Sequence, residues 1–285
     1  MKLRTAIACA LTAGLLAAGP AAAGEANPDT LRVALLPDEN AATIIKDNQA
    51  LKAYLEETLG KSIELVVTTD YSSMIEAMRF GRLEMAYFGP LSYTLAKTKS
   101  DIEAFAARMK GGETTYQAVV IGNIEKGIEK IEDAASHDVA YGDQASTSSH
   151  LIPKSMLRAH GLTEGEDYEE HFTGAHDAVA LAVQRGNAVV GGLSKPIFES
   201  LVEREIISLD KVRVLAESKP FPQYPWTMRS DLAAELKEQI RTAFYELKDP
   251  AILKPFKAEG FAPIADSDYD VVRDLQTELG LGAGS

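Results

Sequence analysis

Four consecutive hydroxyl residues are the part of this sequence best suited to chemistry. Ser146, Thr147, Ser148 and Ser149 follow an apolar stretch at 139–141 and begin a helical one. The first N–H groups of a helix have no intrahelical partner and the helix dipole is positive there, so hydroxyls at that point can complete a site for a tetrahedral oxyanion. An ordinary helix start needs only one capping hydroxyl. From the residues alone, an anion site and a plain helix cap are equally good interpretations.

Three further turns from strand to helix carry polar or aromatic side chains. His176 stands at a predicted helix start and can donate to an anion, which would favour its protonated form; a core or solvent-facing histidine is the simpler interpretation. Tyr71 can point its phenol into a cleft, and a capping turn explains its segment equally well. Tyr87, near a Gly-Pro pair, suits a cleft wall or ordinary core packing. Together these turns favour a shared polar cleft.

The elements that must position these residues are short apolar strands alternating with amphipathic helices. Strands are predicted at 31–36, 63–67, 83–88, 117–121, 138–141, 188–190 and 212–215, and helices at 44–59, 72–80, 148–159, 178–185 and 195–205, with one more after residue 89 and mostly helix beyond residue 230. This alternation predicts an α/β fold with parallel sheets covered by helices. The length of 285 residues favours two α/β lobes, and ligands of such sheets bind outside the carboxyl ends of the strands.

The first 23 residues have the pattern of a signal peptide. Lys2 and Arg4 precede an apolar stretch at 5–18 that is too short to span a bilayer, and small residues ending at Ala23 suit a cleavage site. We therefore predict export to the periplasm, cleavage near Ala23 and no membrane anchor. The single cysteine, Cys9, lies inside this segment, so the mature chain has no disulfide, thiolate metal site or thiol nucleophile.

Charge and motifs exclude several classes of function. The chain has 42 acidic and 29 basic residues, a formal net charge of −13, which argues against binding nucleic acid or an anionic membrane surface. The sequence has no G-x-S-x-G, phosphate-binding loop, H-E-x-x-H or dinucleotide fingerprint, and His171 and His176 have no metal-ligand spacing. We predict no cofactor, metal or catalytic residue. An exported hydrolase is the remote alternative.

Several long segments resemble the periplasmic phosphonate- and phosphite-binding proteins of ABC importers, most of all the phosphite-binding members. The similar segments are residues 33–40, 68–81, 86–93, 141–154, 173–180, 191–194 and 224–226. The resemblance implies a type II periplasmic binding protein fold, with two α/β lobes joined by a hinge around a ligand cleft. It implies a discontinuous first lobe at 24–115 plus 220–285, a second lobe at 116–219, and an ABC transporter permease as partner.

The resemblance also implies roles for individual residues. Ser146, Thr147 and Ser148 are similar to the residues that bind the phosphorus oxygens, and His176 is similar to the family's anion-binding histidine. Tyr71 and Tyr116 are similar to tyrosines that close on the ligand from the opposite side. Periodicity alone places Tyr116 in a strand and gives it no role.

The identity of the oxyanion depends on residues that differ within the family. Binders of 2-aminoethylphosphonate hold the amine with two acidic residues, and here those positions fall near Lys195 and at Tyr224. A pocket lined by Tyr224 and Trp226 favours a ligand with an apolar face, such as the P–H of phosphite. Lys195, however, replaces an acidic residue of the phosphite binders, and Asp38 and Glu39 can hold an amine instead. We therefore expect phosphite first, then 2-aminoethylphosphonate or another phosphonate, with selenate less favoured.

Overall fold

The computed structural model describes residues 25–281, and the predicted signal peptide at 1–23 lies outside this range. Its strands are β1 (Thr30–Leu35), β2 (Ser62–Val66), β3 (Met85–Tyr87), β4 (Ile102–Met109), β5 (Thr115–Tyr116), β6 (Ala118–Asn123), β7 (Asp138–Tyr141), β8 (Glu169–Phe172), β9 (Val190–Ser194), β10 (Val212–Glu217), β11 (Phe221–Pro222), β12 (Pro225–Arg229) and β13 (Gly260–Pro263). The α-helices are α1 (Ala41–Asp47), α2 (Gln49–Leu59), α3 (Tyr71–Arg79), α4 (Pro90–Lys99), α5 (Ile152–Ala159), α6 (His176–Gln184), α7 (Lys195–Glu203), α8 (Ala234–Glu246), α9 (Pro250–Leu253) and α10 (Asp270–Glu278).

These strands form two main sheets and a small pair between them. The first sheet has the order β13-β4-β12-β3-β1-β2, and the second has the order β10-β6-β9-β7-β8. The chain passes from the first sheet to the second after β4 and returns before β12. The two crossings pair with each other as the antiparallel strands β5 and β11.

Both main sheets are mixed, so the prediction of parallel sheets is wrong in part. Parallel pairs join β1 to β2 and β3, and β7 to β8 and β9. β12 is antiparallel to β3 and β4, and β6 is antiparallel to β9 and β10. β6 and β12 are the strands that begin directly after a crossing between the sheets. Each therefore starts at the sheet edge where its neighbouring strands end, and it is antiparallel to them.

The buried residues of β1 show why its apolar run was readable as a strand. Leu31, Val33 and Leu35 pack into one hydrophobic layer, while Ala34 packs into the layer on the opposite face. Helices cover both faces, so the strand reads as continuously apolar rather than alternating. Other elements differ from their prediction. Asn48 separates α1 from α2 where one helix was expected, and β13 interrupts the region predicted to be mostly helical.

Two glycines in β9 allow the helices to pack closely on the second sheet. A Cβ added at Gly192 would lie 2.4 Å from the Cβ of Pro153 at the start of α5. Overpacking of this kind usually costs about 1–3 kcal/mol. We expect Gly192→Ala to lower the free energy of unfolding by that amount, measured by chemical denaturation.

Gly260 in β13 provides the matched control for this prediction. A Cβ added there would lie 3.5 Å from its nearest neighbours, the ends of the Lys248 and Met109 side chains, which is ordinary contact. Gly260→Ala should therefore change stability by no more than about 0.5 kcal/mol. Equal stability of the two variants would contradict the packing explanation.

Candidate functional site

The two sheets bring the predicted site residues to facing edges. In the first sheet, Asp38 follows the carboxyl end of β1, Tyr87 ends β3, and Arg108 lies near the end of β4. Tyr224 directly precedes β12, which starts at this edge because it is antiparallel. In the second sheet, the hydroxyl run follows β7 and His176 follows β8. The carboxyl ends of the parallel strands therefore form both walls of one cleft, as expected for open α/β sheets.

The hydroxyl run combines structural and potentially binding groups. A π-helical turn, Thr147–Leu151, leads directly into α5. The Ser146 Oγ caps it by accepting from the Ser149 N–H at 3.1 Å. The Ser149 Oγ accepts from the Gly142 N–H at 2.8 Å and donates to a carbonyl in β9, so its role is structural. The Ser148 Oγ, in contrast, points towards the other lobe and lies 3.5 Å from the Tyr224 hydroxyl.

His176 is buried and carries its proton on a defined nitrogen. Its Nδ1 accepts from the Ser194 N–H at 3.0 Å, which leaves Nε2 as the N–H donor. That Nε2 is buried and has no hydrogen-bond partner among residues 25–281. Burial, reinforced by the nearby Lys257 charge, lowers the pKa of His176 to about 3. His176 is therefore a neutral donor in this structure, and the expectation that a bound anion favours its protonated form stays a prediction.

The two tyrosines on the facing side complete the set of donors. Tyr71 lies beside the Ser146 hydroxyl, and Tyr116 lies beside those of Thr147 and Ser148. The Tyr116 hydroxyl is buried and, in the part of the chain described, has no hydrogen-bond partner. Burial raises the pKa of both phenols, so each remains an O–H donor at neutral pH.

Three backbone N–H groups connect the lobes around this site, and the structure is therefore a closed one. The bonds run from the Leu91 N–H to the Thr147 Oγ1 at 2.7 Å, from the His176 N–H to the Asp38 carbonyl at 2.9 Å, and from the Tyr71 N–H to the Asp143 carboxylate at 3.3 Å. Each involves a predicted site residue or a direct neighbour of one. Closure and assembly of the donor set are consequently the same event.

Of the residues expected to control specificity, Trp226 lies away from the cleft and Lys195 is held in an ion pair. Trp226 is completely buried and packs against Phe244 and the far side of Tyr87, with ring centroids 4.8 and 5.0 Å apart. Lys195 forms an ion pair of 2.6 Å with Glu217. Of the two aromatic residues Tyr224 and Trp226, Tyr224 is the one that lines the cavity.

The two acidic residues after β1 have different surroundings. Glu39 pairs with Lys257 at 2.9 Å and with Arg204 at 3.6 Å, and Arg204 belongs to the other lobe. Glu39 is thus neutralised in an ion pair across the cleft. Asp38 is half-buried and has no ion-pair partner within 4 Å among residues 25–281. Burial and the neighbouring Glu39 raise the pKa of Asp38 to about 7.

A cavity of about 670 Å³ opens between the lobes next to the tyrosines. Its wall includes Asp38, Tyr87, Arg108, Tyr116 and Tyr224. Sequence reasoning missed Arg108, the one arginine of a strand whose only other charged residue is Glu103. Arg108 reaches the cavity because β4 lies between β12 and β13 in the sheet, and no pattern in the neighbouring sequence predicts this.

The exported hydrolase considered above would need a nucleophile paired with a base in this cleft. The hydroxyl partner of Ser148 is Tyr224, and no histidine bonds to Ser148 within the described range. Across residues 25–281 there is no group of three or more His, Cys, Asp or Glu side chains suited to a metal ion. In the same range no helix is both long enough and apolar enough to cross a membrane.

Residues 33–269 match a family model described as the periplasmic substrate-binding protein of phosphonate ABC transporters. The phosphate-import protein PhnD of Mycolicibacterium smegmatis is 25% identical over 96% of this chain and 94% of its own length. The phosphonates-binding periplasmic protein of Escherichia coli is 27% identical over 79% of this chain and 69% of its own.

Among solved structures, PhnD1 from Prochlorococcus marinus in complex with methylphosphonate superposes with a TM-score of 0.83. It is 20% identical, and the match covers 89% of this chain and 99% of that one. The predicted architecture, two α/β lobes around a cleft in a type II periplasmic binding fold, is thereby confirmed.

Proposed function

Because the chain belongs to the family of periplasmic phosphonate-binding proteins of ABC transporters, we propose that it captures a phosphonate-type oxyanion between its lobes and delivers it to the permease. The observation that carries this proposal is a pair of buried donors that have no hydrogen-bond partner among residues 25–281, the His176 Nε2–H and the Tyr116 hydroxyl. A buried donor left unpaired costs about 1–3 kcal/mol, and a bound oxyanion would satisfy both. The family consists of transport components, and the proposed role is binding without catalysis.

Neutral donors supply the proposed anion site. They are the hydroxyls of Ser146, Thr147 and Ser148, the first N–H groups of the helical stretch that follows, the Nε2–H of His176, and the phenols of Tyr71 and Tyr116. Hydrogen bonds from neutral donors to an anion are worth about 1.5–3 kcal/mol each when water is excluded. Such a set needs no lysine or arginine at the phosphorus oxygens.

Closure follows from the division of these donors between the lobes. A ligand stabilises the closed form only by contacts that the open form lacks. The hydroxyl run and His176 belong to the second sheet's lobe, whereas Tyr71 belongs to the first. We propose that the β5–β11 pair is the hinge, with lobes at 24–115 plus 220–285 and at 116–219. Rotation there would bring both donor sets onto one tetrahedral anion.

The cavity geometry favours a phosphonate with an organic substituent over phosphite. The case for phosphite relied on Tyr224 and Trp226 lining the pocket, and Trp226 packs in the core instead. The cavity of about 670 Å³ beside the anion site leaves room for a substituent on phosphorus. Phosphite remains the second candidate, because the donors themselves are enclosed and would hold a small anion equally well.

Calorimetric titration of the mature protein tests this proposal directly. The ligands are methylphosphonate, 2-aminoethylphosphonate, phosphite, phosphate and selenate. We expect at least one phosphonate to bind ten times more tightly than phosphate or selenate. Phosphite binding more tightly than every phosphonate would make the second candidate the correct one. Absence of binding by all five would refute the proposed function.

A further inference from the structure

Arg108 is a buried cation without a counter-ion in the cavity wall. The residue is only 6% exposed, and its Nη1 donates to the Phe256 carbonyl at 2.8 Å. Its Nε has no hydrogen-bond partner, and across residues 25–281 no carboxylate lies within 4 Å of the guanidinium. Burying an unpaired charge costs several kcal/mol. Among residues 25–281, the Phe256 carbonyl offsets part of this cost and no side-chain charge offsets the rest.

Asp38, in the wall of the same cavity, is an acidic residue without a cationic partner among residues 25–281. Its carboxylate has no cation within 4 Å in the described chain, since the nearest lysine, Lys257, pairs with Glu39. Asp38 and Arg108 both belong to the first sheet's side of the cavity, and they do not pair with each other. Both charges act on the phenols of Tyr87 and Tyr116, so both face the part of the cavity next to the anion site.

We propose that this cavity holds a phosphonate substituent carrying both a carboxylate and an ammonium group, as in a phosphono amino acid. Arg108 would bind the carboxylate and Asp38 the ammonium, while the hydroxyl run holds the phosphonate. This inference rests on the proposed function of the neighbouring anion site. Guanidinium groups suit carboxylates because their N–H groups match both oxygens.

A ligand whose substituent carries only one charge would leave either Arg108 or Asp38 without a partner. An amine alone would pair Asp38 and leave Arg108 buried and unpaired. A carboxylate alone would pair Arg108 and lie in the same cavity as the unpaired Asp38. The zwitterion satisfies both, and the aromatic walls of Tyr87 and Tyr224 would contact its short carbon chain.

Four ligands with the same two-carbon chain separate these contributions. Ethylphosphonate carries neither group, 2-aminoethylphosphonate carries the amine, 3-phosphonopropionate carries the carboxylate, and 2-amino-3-phosphonopropionate carries both. In calorimetric titration of the full mature protein, we expect the zwitterion to bind at least about tenfold more tightly than ethylphosphonate. Ethylphosphonate or phosphite binding as tightly as the zwitterion would overturn the inference and leave the proposed function intact. Failure of every phosphonate and of phosphite would instead refute the proposed function.

Variants assign each charge to its group. In Arg108→Gln the affinity ratio of 3-phosphonopropionate to ethylphosphonate should fall towards one, and in Asp38→Asn the ratio of 2-aminoethylphosphonate to ethylphosphonate should do the same. Ratios unchanged from the parent protein would overturn the assignment. Arg108→Lys keeps the charge but loses the paired N–H groups of the guanidinium, and it replaces Arg108→Gln if that variant does not fold. We expect its affinity ratio of 3-phosphonopropionate to ethylphosphonate to lie between one and the parental value. A parental ratio would contradict the role of Arg108.

Lys46 supplies the control for general electrostatics. It is an exposed cation at the rim of the same cavity. Lys46→Gln should change the four affinities only slightly and in the order of the ligands' net charges, because a distant exposed charge is screened by salt and acts in proportion to net charge. A selective loss of the carboxylate ligands in this variant, equal to that in Arg108→Gln, would show that Arg108 has no specific role.

Discussion

Replacing Ser146, Thr147 and Ser148 together by alanine is expected to raise the dissociation constant for the bound oxyanion by about a thousandfold. Each lost hydroxyl removes a hydrogen bond to a charged group, worth about 1.5–3 kcal/mol. Even at the lower value, three such losses exceed the roughly 4 kcal/mol that a thousandfold change requires. Titration calorimetry with the tightest ligand of the parent protein measures this directly.

The triple variant should still fold. Ser146 contributes a helix cap through its bond to the Ser149 N–H, and losing a cap costs about 1 kcal/mol. The Thr147 Oγ1 accepts one N–H from the other lobe, and Ser148 has only its long contact with Tyr224. Thermal unfolding should therefore show a modest decrease in stability. Binding at parental affinity by a folded triple variant would contradict the site assignment.

Ser149, the fourth hydroxyl of the run, is the matched control. It holds the Gly142 N–H and a β9 carbonyl rather than facing the other lobe. Ser149→Ala removes both hydrogen bonds of this hydroxyl, although the Gly142 N–H keeps the Ser149 carbonyl as an acceptor at 3.2 Å, and should cost about 1–3 kcal/mol in stability. Its affinity for ligand should stay within a few-fold of the parent. The triple variant should thus lose mainly affinity, whereas Ser149→Ala should lose mainly stability.

The sequence predicts the second lobe's half of the site better than the first lobe's. Ser146 was readable because it follows an apolar strand, β7, and ligands bind outside the carboxyl ends of such strands. His176 was readable from its helix start alone, because the polar strand before it, β8, is not among the predicted strands. The local pattern of apolar strand, polar turn and helix start therefore carries the information. Tyr71 was readable for the same reason, since it directly follows a capping aspartate at the start of α3.

Residues whose position depends on distant pairing were not predictable in this way. Arg108 reaches the cavity because β4 lies between β12 and β13, both from the far end of the sequence. Lys195 turns to Glu217, a partner 22 residues away on β10. Trp226 is buried because helix α8 covers the sheet behind it. The sequence on either side of these residues does not indicate their neighbours in the fold. The expectations for Trp226 and Lys195 rested on the resemblance to the family.

The acidity of the chain is compatible with anion binding because the two act over different distances. A net charge of −13 describes a surface whose field is screened over about 10 Å in salt. The proposed site acts through neutral hydroxyl and imidazole donors at hydrogen-bond distance, inside a closed cleft. Arg108 and Asp38 would then distinguish substituents rather than supply the attraction for phosphorus oxygens.

Replacing His176 by alanine is expected to weaken oxyanion binding by about a hundredfold, because it removes a buried donor to a charged group. His176→Gln, which keeps an N–H donor on a side chain of similar reach, should recover a large part of this loss. Since burial lowers the pKa of His176 to about 3, the donor is already neutral at pH 6 to 8. The difference in affinity between the parent and His176→Gln should therefore be the same across this range. A difference that grows as the pH falls towards 6 would show that the bound form is imidazolium.

The same pKa gives a stability effect with a defined sign. The unfolded chain binds a proton at His176 below its ordinary value of 6.5, whereas the folded chain does so only near 3. Folding is therefore opposed increasingly as the pH falls below 6.5, by up to about 1.4 kcal/mol per pH unit from this group. Ligand-free His176→Gln should lose less stability than the parent between pH 6.5 and 4.5, measured by denaturant unfolding. Other groups titrate equally in both proteins, so the difference isolates His176. Parallel stability profiles would mean that folding leaves the pKa of His176 unchanged, which would contradict the effect of burial on this side chain.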